Sequence, residues 1–305
     1  MAEFSIIDQY FKRTLNSSVR LAIGDDAAVI QPPPQQQLVI CTDTLVAGRH
    51  FPLNTAPHAV GWKSVAVNLS DLAAMGAKPH SILLALSLPS VDHDWLAEFS
   101  RGLFDCCEQF GVVLIGGDTT QSTQLTMSIT ALGWMDAEQA VIRSGAQVGD
   151  YICVSGQLGS AAYGLAHLGH ALQQRLDYPI PRCTLGQQLA GLASSMIDVS
   201  DGLAQDLSHI LNASNVGAKV LLEQLPLDAA LQQLESQQAW QYALNGGDDY
   251  ELCFTISPQN YQHVSQQTTD VAFIIIGEIT ASTGLIFTYQ GEIQPITVHG
   301  YQHFA

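Results

Sequence analysis

The sequence predicts an α/β protein of α+β type, built as two mixed α/β domains, residues 1–138 and 139–305. Three observations predict it. The chain has 305 residues, enough for two cores of about 150 residues each. Hydrophobic residues make up 47% and charged ones only 13%, so each half can bury a core and disorder is excluded. Strand-like alternation and helix-like spacing recur in both halves, and the pattern breaks around Gly145 to Gly149.

The elements follow in order. Phe4, Ile7, Tyr10 and Phe11 share one face of an opening helix. A Pro/Gln loop precedes the strand Leu38–Cys41. Pro57 starts a helix running to Gly76, with Val60, Ser64, Val67, Asp71 and Met75 three or four apart. Ser81–Leu88 reads as a strand, Trp95–Phe110 as a helix and Val112–Ile115 as a short strand. Leu125, Met127, Ile129 and Ala131 alternate as in a half-buried strand. Beyond the break, Tyr151–Val154 is a strand. Helices are expected at 158–168, 184–194 and 202–213, and strands at 196–199, 217–222, 250–257 and 272–277, with two short strands to close.

Charge and composition narrow the function. Eleven basic against 28 acidic residues give a net charge of −17. So few cations cannot form the basic face that nucleic acid or an anionic membrane surface requires. No apolar run reaches the roughly 18 residues of a membrane span, and the N-terminus lacks a basic region followed by an apolar one. The six cysteines form no C-x-x-C pair and read as buried reduced thiols of a cytoplasmic protein.

Nine aspartates fall in six glycine- or hydroxyl-flanked segments at expected element ends. These are Gly24-Asp25-Asp26, Thr42-Asp43-Thr44, Asn68-Leu69-Ser70-Asp71, Gly116-Gly117-Asp118-Thr119, Asp198-Val199-Ser200-Asp201-Gly202 and Gly246-Gly247-Asp248-Asp249-Tyr250-Glu251. Any one of them fits a turn or a helix cap; Asp201 before Gly202-Leu203 is an example. Asp71 does not, because it lies inside an apolar helical stretch where an unpaired carboxylate is costly. Four lysines and seven arginines cannot neutralise such a set, and metal cations can. No Cys/His spacing suits zinc and no calcium loop is present. Hard oxygen ligands from scattered segments suit Mg²⁺, which binds through a few carboxylates together with substrate phosphates. P-loop, dinucleotide-binding and protein-kinase signatures are absent. Gly116-Gly117-Asp118-Thr119 can still cradle phosphate beside a metal-binding carboxylate.

Taken in order, these segments resemble the thiamine-monophosphate kinase family, in a superfamily with aminoimidazole ribonucleotide synthetase and selenophosphate synthetase. The likeness also rests on Phe4-Ser5-Ile6-Ile7, Thr42-Asp43-Thr44-Leu45-Val46-Ala47-Gly48-Arg49-His50-Phe51 and Arg143-Ser144-Gly145-Ala146, and it covers nearly the whole chain. The resemblance implies the aminoimidazole ribonucleotide synthetase-like fold and a homodimer formed through the strands of the N-terminal domain. It implies ATP-dependent phosphorylation of thiamine phosphate to thiamine diphosphate, the last step in making that coenzyme, assisted by several Mg²⁺ ions. ATP would lie in a cleft that the second domain completes.

By motif match, Asp26, Cys41, Thr42, Asp43, Asp71, Asp118, Asp198 and Asp201 would bind Mg²⁺. Gly117, Asp118, Arg143 and Ser200 would contact ATP, and His50, Asp248 and Tyr301 the thiamine phosphate. Asp43, Asp71, Asp118 and Arg143 would carry direct in-line transfer to a phosphate oxygen, with no protein base. Cys41 stands where the family has Ser or Thr. A neutral thiol is a poor Mg²⁺ ligand, so its contact falls to the backbone carbonyl. Asp248 replaces the family's Glu, one methylene shorter, and Ile197 stands where Trp is frequent. Two rivals remain at this point. A sister synthetase of selenophosphate would want a reactive Cys near the N-terminus, and the first here is Cys41. A silent cation-binding scaffold would need none of Arg143, Ser200 and His50.

Overall fold

A computed structural model describes residues 3–13, 18–267 and 271–300. The chain divides into two compact units: Met1–Leu72 with Ala77–Glu138, and Ala73–Gly76 with Gln139–Ala305. Each mixes strands and helices.

The first unit carries a four-stranded sheet in the order β3–β6–β4–β5. Its strands are β3 (Gln36–Val46), β4 (Lys78–Leu88), β5 (Val113–Gln121) and β6 (Thr126–Asp136). β6 pairs antiparallel with β3 and β4, whereas β4 and β5 run parallel. A parallel pair needs a crossover, here the helix His93–Phe110. Asp92 starts that helix by accepting the N–H of Asp94 and Trp95, and Gly111, at φ 67°, ends it. The helix Pro57–Ala74 lies against it at two glycines. A Cβ on Gly61 would stand 2.1 Å from the Phe99 carbonyl oxygen, and one on Gly102 1.9 Å from that of His58. Only glycine allows the two backbones to come so close.

Period-two alternation gives the sheet two unlike faces. Leu45, Met127, Ile129, Ala131, Ile82, Leu84 and Leu86 are buried on one. Leu38, Ile40, Thr42 and Thr44 lie exposed on the other. A small ribbon of β1 (Val19–Leu21) and β2 (Val29–Ile30) packs Val19 and Ala22 against Ile115 of β5.

The second unit holds a seven-stranded sheet in the order β13–β12–β9–β11–β7–β10–β8. Its strands are β7 (Tyr151–Ser155), β8 (Ser195–Val199), β9 (Gly217–Leu221), β10 (Glu251–Ile256), β11 (Phe273–Thr280), β12 (Gly284–Tyr289) and β13 (Glu292–Gln294). All pairings are antiparallel except β9–β12. β10 is buried at every residue. The helix Leu203–Ser214 packs Leu203, Leu207 and Ile210 into the core with Ile152, Val154 and Val199.

Most expected elements appear, with longer strands. β3 extends five residues beyond Cys41, so Thr42-Asp43-Thr44 sits within a strand and not at its end. β5 likewise runs through Gly116-Gly117-Asp118. All six cysteines are free thiols; five are buried and Cys41 half-buried. Among the described residues no helix is long and apolar enough to cross a membrane.

Candidate functional site

In the first unit the helix 57–74 sets the placement of the acidic residues of β3. Asn68 is 1% exposed. Its Nδ2 donates to the Ser64 carbonyl at 3.0 Å, which leaves Oδ1 to accept the Asp43 N–H at 2.9 Å. The Asn68 carbonyl accepts the Cys41 thiol at 3.2 Å. Asp71 and Asp43 both act electrostatically on the Cys41 thiol, so the three form one neighbourhood. Burial pushes the Cys41 thiol well above its ordinary range, and the charges of Asp71 and Asp43 push it further. A protonated thiol used as a donor is no metal ligand, so a contact at residue 41 falls to its carbonyl. Thr42 points the other way. Its hydroxyl donates to the Ile129 carbonyl at 3.0 Å and lies 3.2 Å from that of Thr130.

His50 lies in a tight turn after β3. Gly48, at φ 78°, donates its N–H to the Phe51 carbonyl at 2.9 Å, and the His50 N–H reaches Val46 at 3.0 Å. The His50 Nδ1 accepts the Val46 N–H at 3.0 Å, so the neutral ring carries its proton on Nε2. Lys63, only 2% exposed, donates to the His50 carbonyl at 3.2 Å.

Asp118 stands apart from this group. Register aligns Asp43 with Ile129, Leu84 and Gly117, and Thr44 with Ser128, Ala85 and Asp118. Asp43 and Asp118 therefore lie on opposite edge strands, about 14 Å apart at about 4.8 Å per strand, in rows that face opposite sides. Gly117 is at φ 153°, and a Cβ there would meet the Leu84 carbonyl oxygen at 1.8 Å. Asp26 lies in the loop between β1 and β2, in the ribbon that packs on Ile115 of β5. Among the described residues no three His, Cys, Asp or Glu side chains gather in a way that could hold a metal ion.

In the second unit the ends of β8 and β10 bring two acidic segments together. The N–H groups of Ser200, Asp201 and Gly202 all donate to Asp206 Oδ2, at 3.1, 3.1 and 3.2 Å. Burial pushes the Asp206 carboxyl up to about 7, with the Asp198 charge adding to it, against the amide bonds that favour ionisation. Asp201 accepts from Gln205 Nε2 at 3.1 Å. The Asp248 N–H donates to the Ser200 carbonyl at 2.9 Å, and that of Tyr250 to Val199 at 2.8 Å. A Cβ on Gly247 would stand 2.5 Å from the Ser200 oxygen. Asp248 and Tyr250 hold positive φ, 70° and 50°, which non-glycine residues seldom adopt. Their side chains join, Tyr250 Oη to Asp248 Oδ1 at 3.0 Å. Arg143 is exposed on a loop tied to the helix 203–214 by Ser214. The Ser214 Oγ donates to the Arg143 carbonyl at 3.3 Å and accepts the N–H of Gly145 and of Ala146 at 3.1 Å each.

The AIR synthase related protein family matches residues 24–135 with its N-terminal domain and 147–290 with its C-terminal domain. A thiamine-monophosphate kinase of Escherichia coli (strain K12) is 46% identical over 99% of this chain and 98% of its own length. The chain belongs to the thiamine-monophosphate kinase family. The family likeness extends to solved structures. The thiamine-monophosphate kinase of Stenotrophomonas maltophilia K279a is 44% identical, covers 91% of this chain and 93% of its own, and has a TM-score of 0.84. AaThiL complexed with AMPPCP and TMP is 31% identical over 93% of this chain and 92% of its own, with a TM-score of 0.78.

The candidate donors are of the type Mg²⁺ takes, though among the described residues they gather in no group of three. Asp43 and Asp71 supply hard oxygens beside a thiol that stays protonated, and Asp198 and Asp201 supply more in the second unit. Tyr301 lies outside the described residues. Sequence reasoning missed three supporting groups. Asn68 holds Asp43 in place, Asp206 holds the 200–202 loop, and Arg182 forms a bidentate pair with Glu251, which is 2% exposed. Asn68 and Asp206 sit at fixed spacing inside quoted or adjoining motifs, a signal that could have pointed to them. Nothing local in the sequence marks Arg182.

Proposed function

We propose that this chain transfers the γ-phosphoryl group of ATP to thiamine phosphate, giving ADP and thiamine diphosphate. The observation that carries this is the full-length likeness to AaThiL, a relative held with AMPPCP and TMP, at 31% identity. The acceptor is a phosphate oxygen whose second pKa is near 6, so it is ionised at neutral pH and needs no protein base. That matches the candidate residues, which are carboxylates in both units, one imidazole in the first and one exposed guanidinium in the second. Transfer is in line and direct.

Bound Mg²⁺ supplies charge neutralisation on the polyphosphate. Asp43 and Asp71, with Asp26, Thr42, Asp118, Asp198 and Asp201 and the Cys41 carbonyl, would hold it. The wide separation of Asp43 from Asp118 supports several ions and argues against one. Gly117, Asp118, Arg143 and Ser200 bind ATP, with Arg143 countering charge on the transferred group. His50, through Nε2–H, Asp248 and Tyr301 bind thiamine phosphate. The first unit, residues 1–138, serves metal and ATP binding and dimerisation. The second, 139–305, adds its own nucleotide and substrate contacts. The exposed face of the four-stranded sheet suits the homodimer. Leu38 and Ile40 are 43% and 58% exposed there, and the buried Trp134 Nε1 has no hydrogen-bond partner among the described residues.

The test is incubation of purified protein with ATP, Mg²⁺ and thiamine phosphate. Thiamine diphosphate and ADP in equal amounts support the reading. ADP without thiamine diphosphate, or no turnover, refutes it.

A further inference from the structure

Three successive backbone N–H groups aimed at one point form a concave nest that binds anions, phosphate among them. The 200–202 loop has this form, and its anion is internal: Asp206 Oδ2 takes all three N–H groups at 3.1–3.2 Å. Asp206 is 3% exposed, on the first turn of the helix 203–214, so the plug is fixed to a rigid element. The other side of the loop is clamped as well, since the Ser200 carbonyl accepts the Asp248 N–H at 2.9 Å. Gly202, at φ 116°, lies 3.0 Å, measured from a built Cβ, from the Leu244 carbonyl oxygen, which leaves no room for the loop to shift that way. Ser200 thus has both its N–H and its carbonyl engaged within the protein.

We infer that Asp206 is a positioning residue for nucleotide binding: it plugs the amide nest of residues 200–202, so that this loop meets the nucleotide through the Ser200 hydroxyl and not through its backbone N–H groups, with the Asp201 carboxylate left for a cation. This rests on the proposed kinase reading. The consequence is selective. Loss of Asp206 disorders the nucleotide contact of the loop first, reaches Asp248 only through its one bond to the Ser200 carbonyl, and leaves His50, in the other unit, unaltered. Asn at 206 retains a side-chain oxygen that accepts the same amides, so it rescues, whereas Ala does not.

The experiment compares Asp206→Ala and Asp206→Asn in steady-state kinetics. The KM for ATP is expected to rise at least tenfold in Asp206→Ala and less than threefold in Asp206→Asn. The KM for thiamine phosphate rises by a clearly smaller factor than that for ATP in Asp206→Ala, and stays within twofold in Asp206→Asn. A folded Asp206→Ala with unchanged KM for ATP, or with both KM values raised alike, overturns the inference. A second measurement needs no variant. In wild-type protein the amide protons of residues 200–202 should exchange slowly with solvent, with and without AMPPCP. Fast exchange in either state overturns the plug. Absence of thiamine diphosphate formation by the wild type would sink the kinase reading instead, while the exchange result would still decide the plug.

Discussion

Glu251 closes the most acidic motif of the chain, yet its geometry is that of a core residue, and this separates structure from chemistry by experiment. Its side chain is 2% exposed and that of Arg182 10%. The pair is bidentate: Arg182 Nε donates to Oε2 at 2.6 Å and Nη2 to Oε1, and Ser155 Oγ donates to Oε2 at 2.6 Å. Glu251→Ala leaves a buried guanidinium without its carboxylate, which costs about 3–5 kcal/mol. The lost Ser155 bond adds about 1 kcal/mol. Against a total stability of about 5–15 kcal/mol this is about a quarter or more of the reserve. Replacing both charges, as in Arg182→Met with Glu251→Leu, removes the uncompensated ion, and such swaps are often neutral or stabilising. Native-state hydrogen exchange at the Leu252, Cys253 and Phe254 amides reads the opening free energy of the second unit directly. The expected pattern is a large loss in Glu251→Ala, recovered by at least about 2 kcal/mol in the double variant. A single variant within about 1 kcal/mol of wild type, or a double variant no better than the single, would refute the buried-pair argument.

Three further outcomes follow from the geometry. Gly117→Ala forces a Cβ to 1.8 Å from the Leu84 oxygen at a φ of 153°, so thermal unfolding of the first unit should drop by at least about 2 kcal/mol of stability. Asn68→Ala leaves the Asp43 N–H without its 2.9 Å acceptor, costing about 1–3 kcal/mol, and should lower kcat more than it raises the KM for thiamine phosphate, as measured by thiamine diphosphate formation. Burial pushes the Asp249 carboxyl up to about 8, opposed by the Gly159 and Ala161 amides that it accepts at 2.6 and 3.3 Å. The folded state therefore keeps a proton that the unfolded chain releases near pH 4, so stability is full below that pH and declines as pH rises toward 8. Denaturant midpoints taken from pH 4 to 8 should show this slope, and Asp249→Asn should reduce it, leaving the part that Asp206 contributes up to about pH 7.

The sequence made the order of strands and helices readable because periodicity survives without knowledge of partners. The 57–74 helix and the 93–110 crossover show it, starting at Pro57 and Asp92 close to where spacing places them. Strand ends were less legible. β3 runs to Val46 because pairing with β6 continues through Thr42-Asp43-Thr44, and pairing across 80 residues or more leaves no local mark. That extension matters for chemistry, since it turns Thr42 to the face opposite Asp43. The acidic segments announced themselves as a set, but not their grouping. Register across the sheet separates Asp118 from Asp43, and only the fold brings Asp248 against Ser200. Asp206 and Arg182 act through three-dimensional neighbours, so composition and spacing passed over them.

The central claim is that the acidic residues of this chain, which carries a net charge of −17, bind nucleotide through cations and not by direct contact alone. The most direct measurement is thiamine diphosphate formation by wild type and Asp71→Asn across a Mg²⁺ titration. Asp71→Asn is expected to fold normally, to lose most of its turnover, and to need more Mg²⁺ for what remains. Near-wild-type turnover by Asp71→Asn at limiting Mg²⁺ would contradict the claim.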